Sequence, residues 1–460
     1  MESHKMRLSG LLLLLLPLVD SSTTLTSNQH GFADKFVDAL YEEENECSSS
    51  LGVSMAFSLI YPSADTANQV EMQDVFGFPS TESHRQLLWN ATQTRLNESY
   101  DGKCLQPDDA GEEAACEIEE ATLKIANRVW LSDSLIVSDE YSDLLGPYLF
   151  QLDFNSGDAG SVVNQWVSDS THGRVKSILP DGPLAGIVVA VNTIYLKAAW
   201  MQPFVESMTN LDSFYSSSSR TTALPSQVNF MHTVNNFPYS DTVVPGYQIL
   251  QLRFRGTMSM ILALPVSEDA VPVDFQEIQP LVAGMESTKV AVALPKFRIE
   301  SVYNENLKNA LQSMGLESTF QGGFCFGGEG GCNGRVSSVI QKTVINLNEN
   351  GVEAAAATAL GDRSLPVPAV PVLFLANHPF QFFIYESEED VVLFEGRVAN
   401  PGVTYDVEPP SLDAQHNDVE FWIESFNVDP RSPMDDSSTN SLSPWMWSSL
   451  AIFGMAVLVF

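Results

Sequence analysis

The sequence predicts a mixed α+β domain dominated by sheet, and three observations carry that prediction. Leu123–Leu131 and Gly186–Leu196 are β-rich runs, the second apolar almost throughout, as a central strand covered on both faces would be. Val162–Ile178, between them, is amphipathic. From about Gly31 to Pro401 no Pro/Ser linker is long enough to divide the chain, so this segment reads as one large unit. Of 460 residues, 44% are hydrophobic and 18% charged, which suits a large buried core and lies far from the composition of disorder.

Taken in order, Lys5 and Arg7 followed by Leu11–Leu16 form the charged and apolar parts of a signal peptide over residues 1–22, ending around Asp20 to Ser22. An uncleaved anchor is the alternative, but the apolar run is short for a bilayer. Phe32–Leu40 and Ser54–Tyr61 read as helical. Further strands are expected at Met258–Leu264, Val290–Ile299, Val336–Leu347 and Phe382–Arg397. After the folded unit, bounded at 30–403, residues 404–443 carry Pro409, Pro410, Pro430, Pro433 and many Asp and Ser, as an extended stalk would. Residues 444–460 are hydrophobic and follow the small polar run Asp435–Ser441, a pattern that reads equally as a lipid-anchor signal or a short single-span tail.

Acidic residues number 58 against 23 basic ones, a net charge of −35. Such a surface repels phosphate backbones, and no Lys/Arg cluster offers counterion release, which excludes nucleic acid and argues against heparin. Cys104 with Cys116, and Cys325 with Cys332, each bracket a segment that a disulfide would close in an oxidising compartment, leaving Cys47 over. Asn90 and Asn97 head two glycosylation sequons. The expected location is the secretory pathway, extracellular or attached to a cell surface.

The motifs of enzymes are missing: GxSxG, HExxH, GxxxxGK[ST] and a strand-to-helix GxGxxG. Asn346, Asn348, Asn350 and Gly351 resemble the start of a calcium loop, but Ala357 stands where the bidentate Glu is needed. Gly327–Gly331 has an acidic centre that repels phosphate, so a disulfide-closed turn is the better reading. No metal or cofactor is expected.

The informative stretch runs from Val344 to Phe374. A strand ends near Glu349, Gly351 permits a hinge, and small residues fill Ala354–Ala359. Arg363–Ser364 then precedes Pro366, Pro368 and Pro371, which cannot join a central strand. The alanine run is too short to hold a helix without packing. Small side chains cost little when solvated and fit a crowded interior when buried, so the stretch is read as a loop with two states.

At this point the sequence resembles the serpins, over about Phe32 to Pro401 and in several separated blocks taken in order. These are Asn45–Pro62; Asn164-Gln-Trp166 with Thr171–Ile178; Val191–Trp200 with Pro203-Phe204; and Leu294-Pro-Lys-Phe297. Glu349–Thr358, His378-Pro-Phe380 and Leu393–Pro401 complete the set. The resemblance implies a serpin fold: three β-sheets, about nine helices and an exposed reactive-centre loop. It also implies a monomeric suicide-substrate inhibitor of serine proteases, in which a cleaved loop enters the main sheet as a new strand. A non-inhibitory binding or chaperone-like serpin is the alternative.

By the same resemblance Glu349 pairs with Lys296 near Trp200, where the sheet opens, and Ser49, Asn192 and Gln341 belong to a polar cluster under it. This chain departs from the family at Ser49-Ser-Leu-Gly52 and at Gln341, where His is usual. On insertion Val352, Ala354, Ala356, Thr358, Leu360 and Asp362 share one face, and the first five are uncharged. The usual span puts the attacked bond at Leu365–Pro366, but proline hinders attack. Arg363–Ser364, with its isolated basic side chain, is preferred and points to trypsin-like proteases.

Overall fold

The computed structural model describes residues 21–41, 45–79, 92–100, 122–171, 173, 175–218, 226–267, 270–327, 332–352 and 370–402. Of the leader expected over 1–22 only Ser21 and Ser22 lie within them, as the first residues of the first helix; the stalk expected over 404–443 and the hydrophobic tail over 444–460 lie outside them. The helices are α1 (Ser21–Leu40), α2 (Ser50–Ile60), α3 (Thr66–Phe76), α4 (92–99), α5 (Asp139–Leu145), α6 (Ala159–Ser170), α7 (Phe275–Val282) and α8 (Glu305–Ser313). The strands are β1 (Glu46–Ser48), β2 (Thr122–Ser132), β3 (Leu149–Leu152), β4 (Val188–Ala199), β5 (Asn210–Phe214), β6 (Ser226–Ser240), β7 (Tyr247–Arg253) and β8 (Met258–Pro265). They continue with β9 (Glu286–Pro295), β10 (Phe297–Tyr303), β11 (Ser338–Asn348), β12 (Gly351–Val352), β13 (Val372–Leu375), β14 (Phe380–Glu386) and β15 (Val391–Val398).

β4 lies inside a six-stranded sheet of order β10-β11-β12-β4-β2-β3. It is buried at every position but Lys197, because α2 covers one face and α6 the other. That is the environment its unbroken apolar run requires. The second sheet has nine strands, β1-β15-β14-β8-β7-β6-β9-β13 with β5 on β6. Three sheets were implied; hydrogen bonding joins two of them through β6. This strand pairs with β9 from Phe230–Pro295 to Tyr239–Glu286, then with β7 only at Tyr239 and Ser240. The main core lies between the two sheets around α2, with smaller apolar clusters beneath α6 and beneath α7.

Two sequence expectations are corrected here. Val290–Ile299 is not one strand: β9 ends at Pro295 in the nine-stranded sheet and β10 begins at Phe297 in the six-stranded one. Lys296 is the single residue between them, its N–H held by the Asn229 carbonyl. The amphipathic Val162–Ile178 is helical only to Ser170. Thr171 closes the helix by donating its hydroxyl to the Val167 carbonyl and accepting from the Val175 N–H, and Gly173 follows with a positive φ of 75°.

Candidate functional site

The six-stranded sheet is closed at one end and split at the other. β11 and β4 pair directly in parallel from Ser338–Val189 to Thr343–Ile194. Beyond Thr343 and Ile194 they part, and β12 lies between their far ends, antiparallel to both. Val352 stands opposite Leu347 and Ala198, and Gly351 opposite Asn348 and Ala199. Leu347 is four residues beyond Thr343, and Ala198 four beyond Ile194, so β12 enters without shifting the register of either neighbour.

Gly351 is required at this place. Its φ is 138°, and a Cβ there would stand 2.0 Å from the Ala198 carbonyl oxygen. Val352 then turns into the main core and is 1% exposed. The tight turn before it uses the asparagine pattern that looked like a calcium loop: Asn348 Oδ1 accepts the Asn350 N–H at 2.9 Å, an Asx turn.

All three carbonyls of this turn are taken by one neighbouring segment. Trp200 donates its indole N–H to Asn348 O at 3.1 Å and its backbone N–H to Asn350 O at 2.8 Å, and Phe204 N–H reaches Glu349 O at 2.9 Å. The Trp200 ring is stacked on Phe254, centroids 4.4 Å apart. Lys296 Nζ lies 2.9 Å from Glu349 Oε2 and 3.1 Å from Oε1, and Thr209 donates to Oε1 at 2.6 Å. Burial alone would raise the Glu349 carboxyl; the hydrogen bonds from Thr209 and Lys296 outweigh it and hold the group below its ordinary value. The ion pair is therefore intact at neutral pH and fastens the end of β11 to the junction between sheets.

Below the split a row of polar side chains crosses the core-facing side of the sheet. Gln341 donates to the Ser49 carbonyl at 2.7 Å and to Asn192 Oδ1 at 2.8 Å, and accepts the Ser49 N–H at 3.0 Å. Asn192 donates to Asn127 Oδ1, and Asn127 to Gln93 Oε1. Gln341 thus fills the place of the expected His with three hydrogen bonds. Ser49 caps α2 through the Gly52 N–H. Gly52 has a steric reason too, since a Cβ there would meet Asn192 Oδ1 at 2.3 Å.

Lys296, Trp200, Glu349, Gly351 and Val352 are thus brought together, with Asn192, Gln341 and Ser49 as a second group on the same sheet. Ala354, Ala356, Thr358, Leu360, Asp362, Arg363, Ser364, Leu365 and Pro366 lie outside the described residues, as do Asn90, Cys104 and Cys116. Cys325 and Cys332 form a disulfide, and Cys47 is a free, buried thiol. The Asn97 amide is half-buried; it donates to Ile125 O at 3.2 Å and accepts from Ile125 N at 2.9 Å, tying α4 to β2. Sequence reasoning missed Thr209, Asn127 and Gln93, and had Phe204 only as part of a family block. Of the three missed, only Asn127, a polar residue on the alternate face where Leu123, Ile125 and Val129 are buried, left a readable signal.

Comparison with known proteins agrees with this architecture. The family model described as "Serpin (serine protease inhibitor)" matches residues 27–401. An uncharacterized serpin-like protein of Thermococcus kodakarensis is 33% identical over 293 residues, covering 61% of this chain and 66% of its own. Antithrombin-III of Mus musculus is 29% identical over 393 residues, covering 81% and 80%. The crystal structure of mouse protein-Z dependent protease inhibitor superposes with a TM-score of 0.67 at 20% identity, covering 83% of this chain and 98% of that one, a likeness of fold alone.

Proposed function

The chain belongs to the serpin family, and from that premise we propose that it inhibits trypsin-like serine proteases as a suicide substrate. The protease serine Oγ attacks the Arg363 carbonyl carbon, the Arg363–Ser364 bond breaks, and the Ser364 nitrogen leaves with a proton. An ester links Arg363 to the protease. The freed strand behind Arg363 then enters the six-stranded sheet and carries the protease away from its water-activating geometry.

One observation carries this reading: Gly351 and Val352 already sit between β11 and β4 in a register that matches both. Continued in that register, Ala354 meets Ile345 and Leu196, Ala356 meets Thr343 and Ile194, and Leu360 meets Val339 and Ala190. Thr358 meets Gln341 and Asn192, so its hydroxyl arrives at the polar row whose hydrogen bond it must interrupt. Asp362 falls one pair beyond the last direct pair, Ser338–Val189, opposite Ser337 and Val188 at the far end of the inserted strand. The five residues ahead of it on this face carry no charge.

A second reading, a non-inhibitory binding or chaperone-like serpin, draws support from the Gln341 bonds that hold β11 to β4 and α2. Trypsin separates the two. The inhibitor forms a complex that survives SDS, and its cleaved form unfolds at a higher temperature than the intact one. Cleavage without complex and without that rise favours the second reading. Arg363→Ala abolishes the trypsin complex; a variant that still forms one overturns Arg363 as the attacked residue. The leader-like residues 1–22 support action outside the cell or at its surface.

A further inference from the structure

The handover of β6 from β9 to β7 leaves a cavity. After the two pairs at Tyr239 and Ser240, the register would continue as Pro238–Gln251, Phe237–Leu252 and Asn236–Arg253. These residues do not pair; they line a space of about 260 Å³. Pro238 has no N–H to offer a ladder. The remaining wall comes from Met285 and Ser287 and from Trp200, Gln202 and Phe204, the last three in the same short segment that holds the three carbonyls of the hinge turn.

The cavity has a definite chemistry. Trp200, Phe237, Leu252 and Met285 give it apolar walls, a slot against which an aromatic ring packs. The Gln202 Oε1 is buried with no hydrogen-bond partner, an acceptor lacking a donor. Arg253 is exposed and pairs with no carboxylate among the described residues, a free guanidinium at the edge.

We propose that this cavity is an effector site for a small planar aromatic carboxylate that also carries an N–H or O–H donor, and that its occupancy favours the seated position of Gly351–Val352. The ring fills the slot against Trp200, the carboxylate pairs with Arg253, and the donor meets Gln202 Oε1. The coupling follows from shared residues. Trp200 and Phe204 can donate to Asn348, Glu349 and Asn350 only while the turn is in place, and a ligand packed on this segment stabilises that arrangement. By linkage, seating the hinge tightens the ligand equally. The regulatory meaning rests on the loop-insertion reading above; the binding does not.

Indole-3-acetate is the probe, titrated by calorimetry into the intact full chain. The expected dissociation constant is on the order of 10–1000 μM for a ligand of about thirteen non-hydrogen atoms. Gln202→Leu and Arg253→Met each weaken it about tenfold. Gly351→Val, whose side chain cannot fit against Ala198 and so unseats the hinge, weakens it several-fold although it lies outside the cavity. No binding at millimolar probe, or binding indifferent to Gln202→Leu and Arg253→Met, overturns the site. Binding indifferent to Gly351→Val overturns the coupling. Because no protease is present, a chain that binds the probe yet never traps trypsin refutes the inhibitor reading and leaves the site standing.

Discussion

Gln341 and Asn192 are joined by a 2.8 Å hydrogen bond that ties β11 to β4 on the core side of the sheet, two residues below their last direct pair at Thr343 and Ile194. Gln341→Leu removes that bond and strips the Ser49 N–H of its acceptor. Leaving such buried groups unsatisfied costs on the order of 3 kcal/mol, read as a lower midpoint in urea unfolding of the intact chain. The same variant opens the sheet more easily, so loop insertion after cleavage becomes faster. Gln341→His, which can keep one bond to Asn192 or Ser49, falls between the two.

Insertion itself is tested on the loop face that meets the core. Ala354→Glu carries a charge to the level of Ile345 and Leu196, both within strands whose facing side is buried, without adding a bond that trypsin attacks. A buried unpaired charge is prohibitive. The expected outcome is a chain that trypsin cleaves at an undiminished rate with no SDS-stable complex and no thermal gain. A stable complex from Ala354→Glu would show that the loop does not enter in the register of β12.

The large elements were legible because their patterns are local. The apolar run of β4 announced a strand covered on both faces, and the glycine and small residues after Glu349 announced a hinge. What could not be read depends on partners far along the chain. In Val290–Ile299 Pro295 and Lys296 mark the place of the break, but only the pairing with β6 and β11 sends the two flanking strands into different sheets. Thr209 reaches Glu349 across 140 residues, and nothing in its neighbourhood marks it. Gln341 looked like a loss because its three bonds come from α2 and β4.

His232, fully buried on β6 and bonded to Asn210 Oδ1 at 2.9 Å, is pushed by burial down to about 4. Its folded value lies below its unfolded one. Its contribution is therefore complete above pH 6.5 and is lost as pH falls toward about 4, a difference on the order of 3 kcal/mol. His232→Gln keeps a hydrogen bond to Asn210 without the titration. Subtracting the two stability profiles between pH 7 and pH 4 should leave this slope; parallel profiles would place the proton elsewhere.

Glu395 behaves in the opposite sense. Burial beside α2 raises its carboxyl to about 8, against the hydrogen bonds it accepts from the Ser50 N–H and the Ser48 hydroxyl. Its folded value is above its unfolded one, so the stability it contributes is complete below about pH 4.5 and is lost as pH rises through about 8. Glu395→Gln stays neutral throughout. The variant should gain on the wild type steadily from pH 5 to pH 8 in denaturant midpoints and level off above.

Lys296→Met tests the clasp at the junction of the sheets. The methionine fills the aliphatic path of the lysine but leaves Glu349, 8% exposed, with Thr209 as its remaining side-chain donor. Breaking a buried pair from one side costs about 3–5 kcal/mol. In the wild type the low carboxyl value of Glu349 means that its contribution is present at neutral pH and lost as pH falls below about 4.5. Without the ammonium, burial dominates, the carboxyl value rises, and the loss begins at higher pH. Carbon-detected titration of Glu349 in the two proteins reads the shift directly. The double variant Lys296→Met with Glu349→Gln, which removes the stranded charge, should recover much of the stability. If it does not, the lysine acts through packing and the ion pair contributes little.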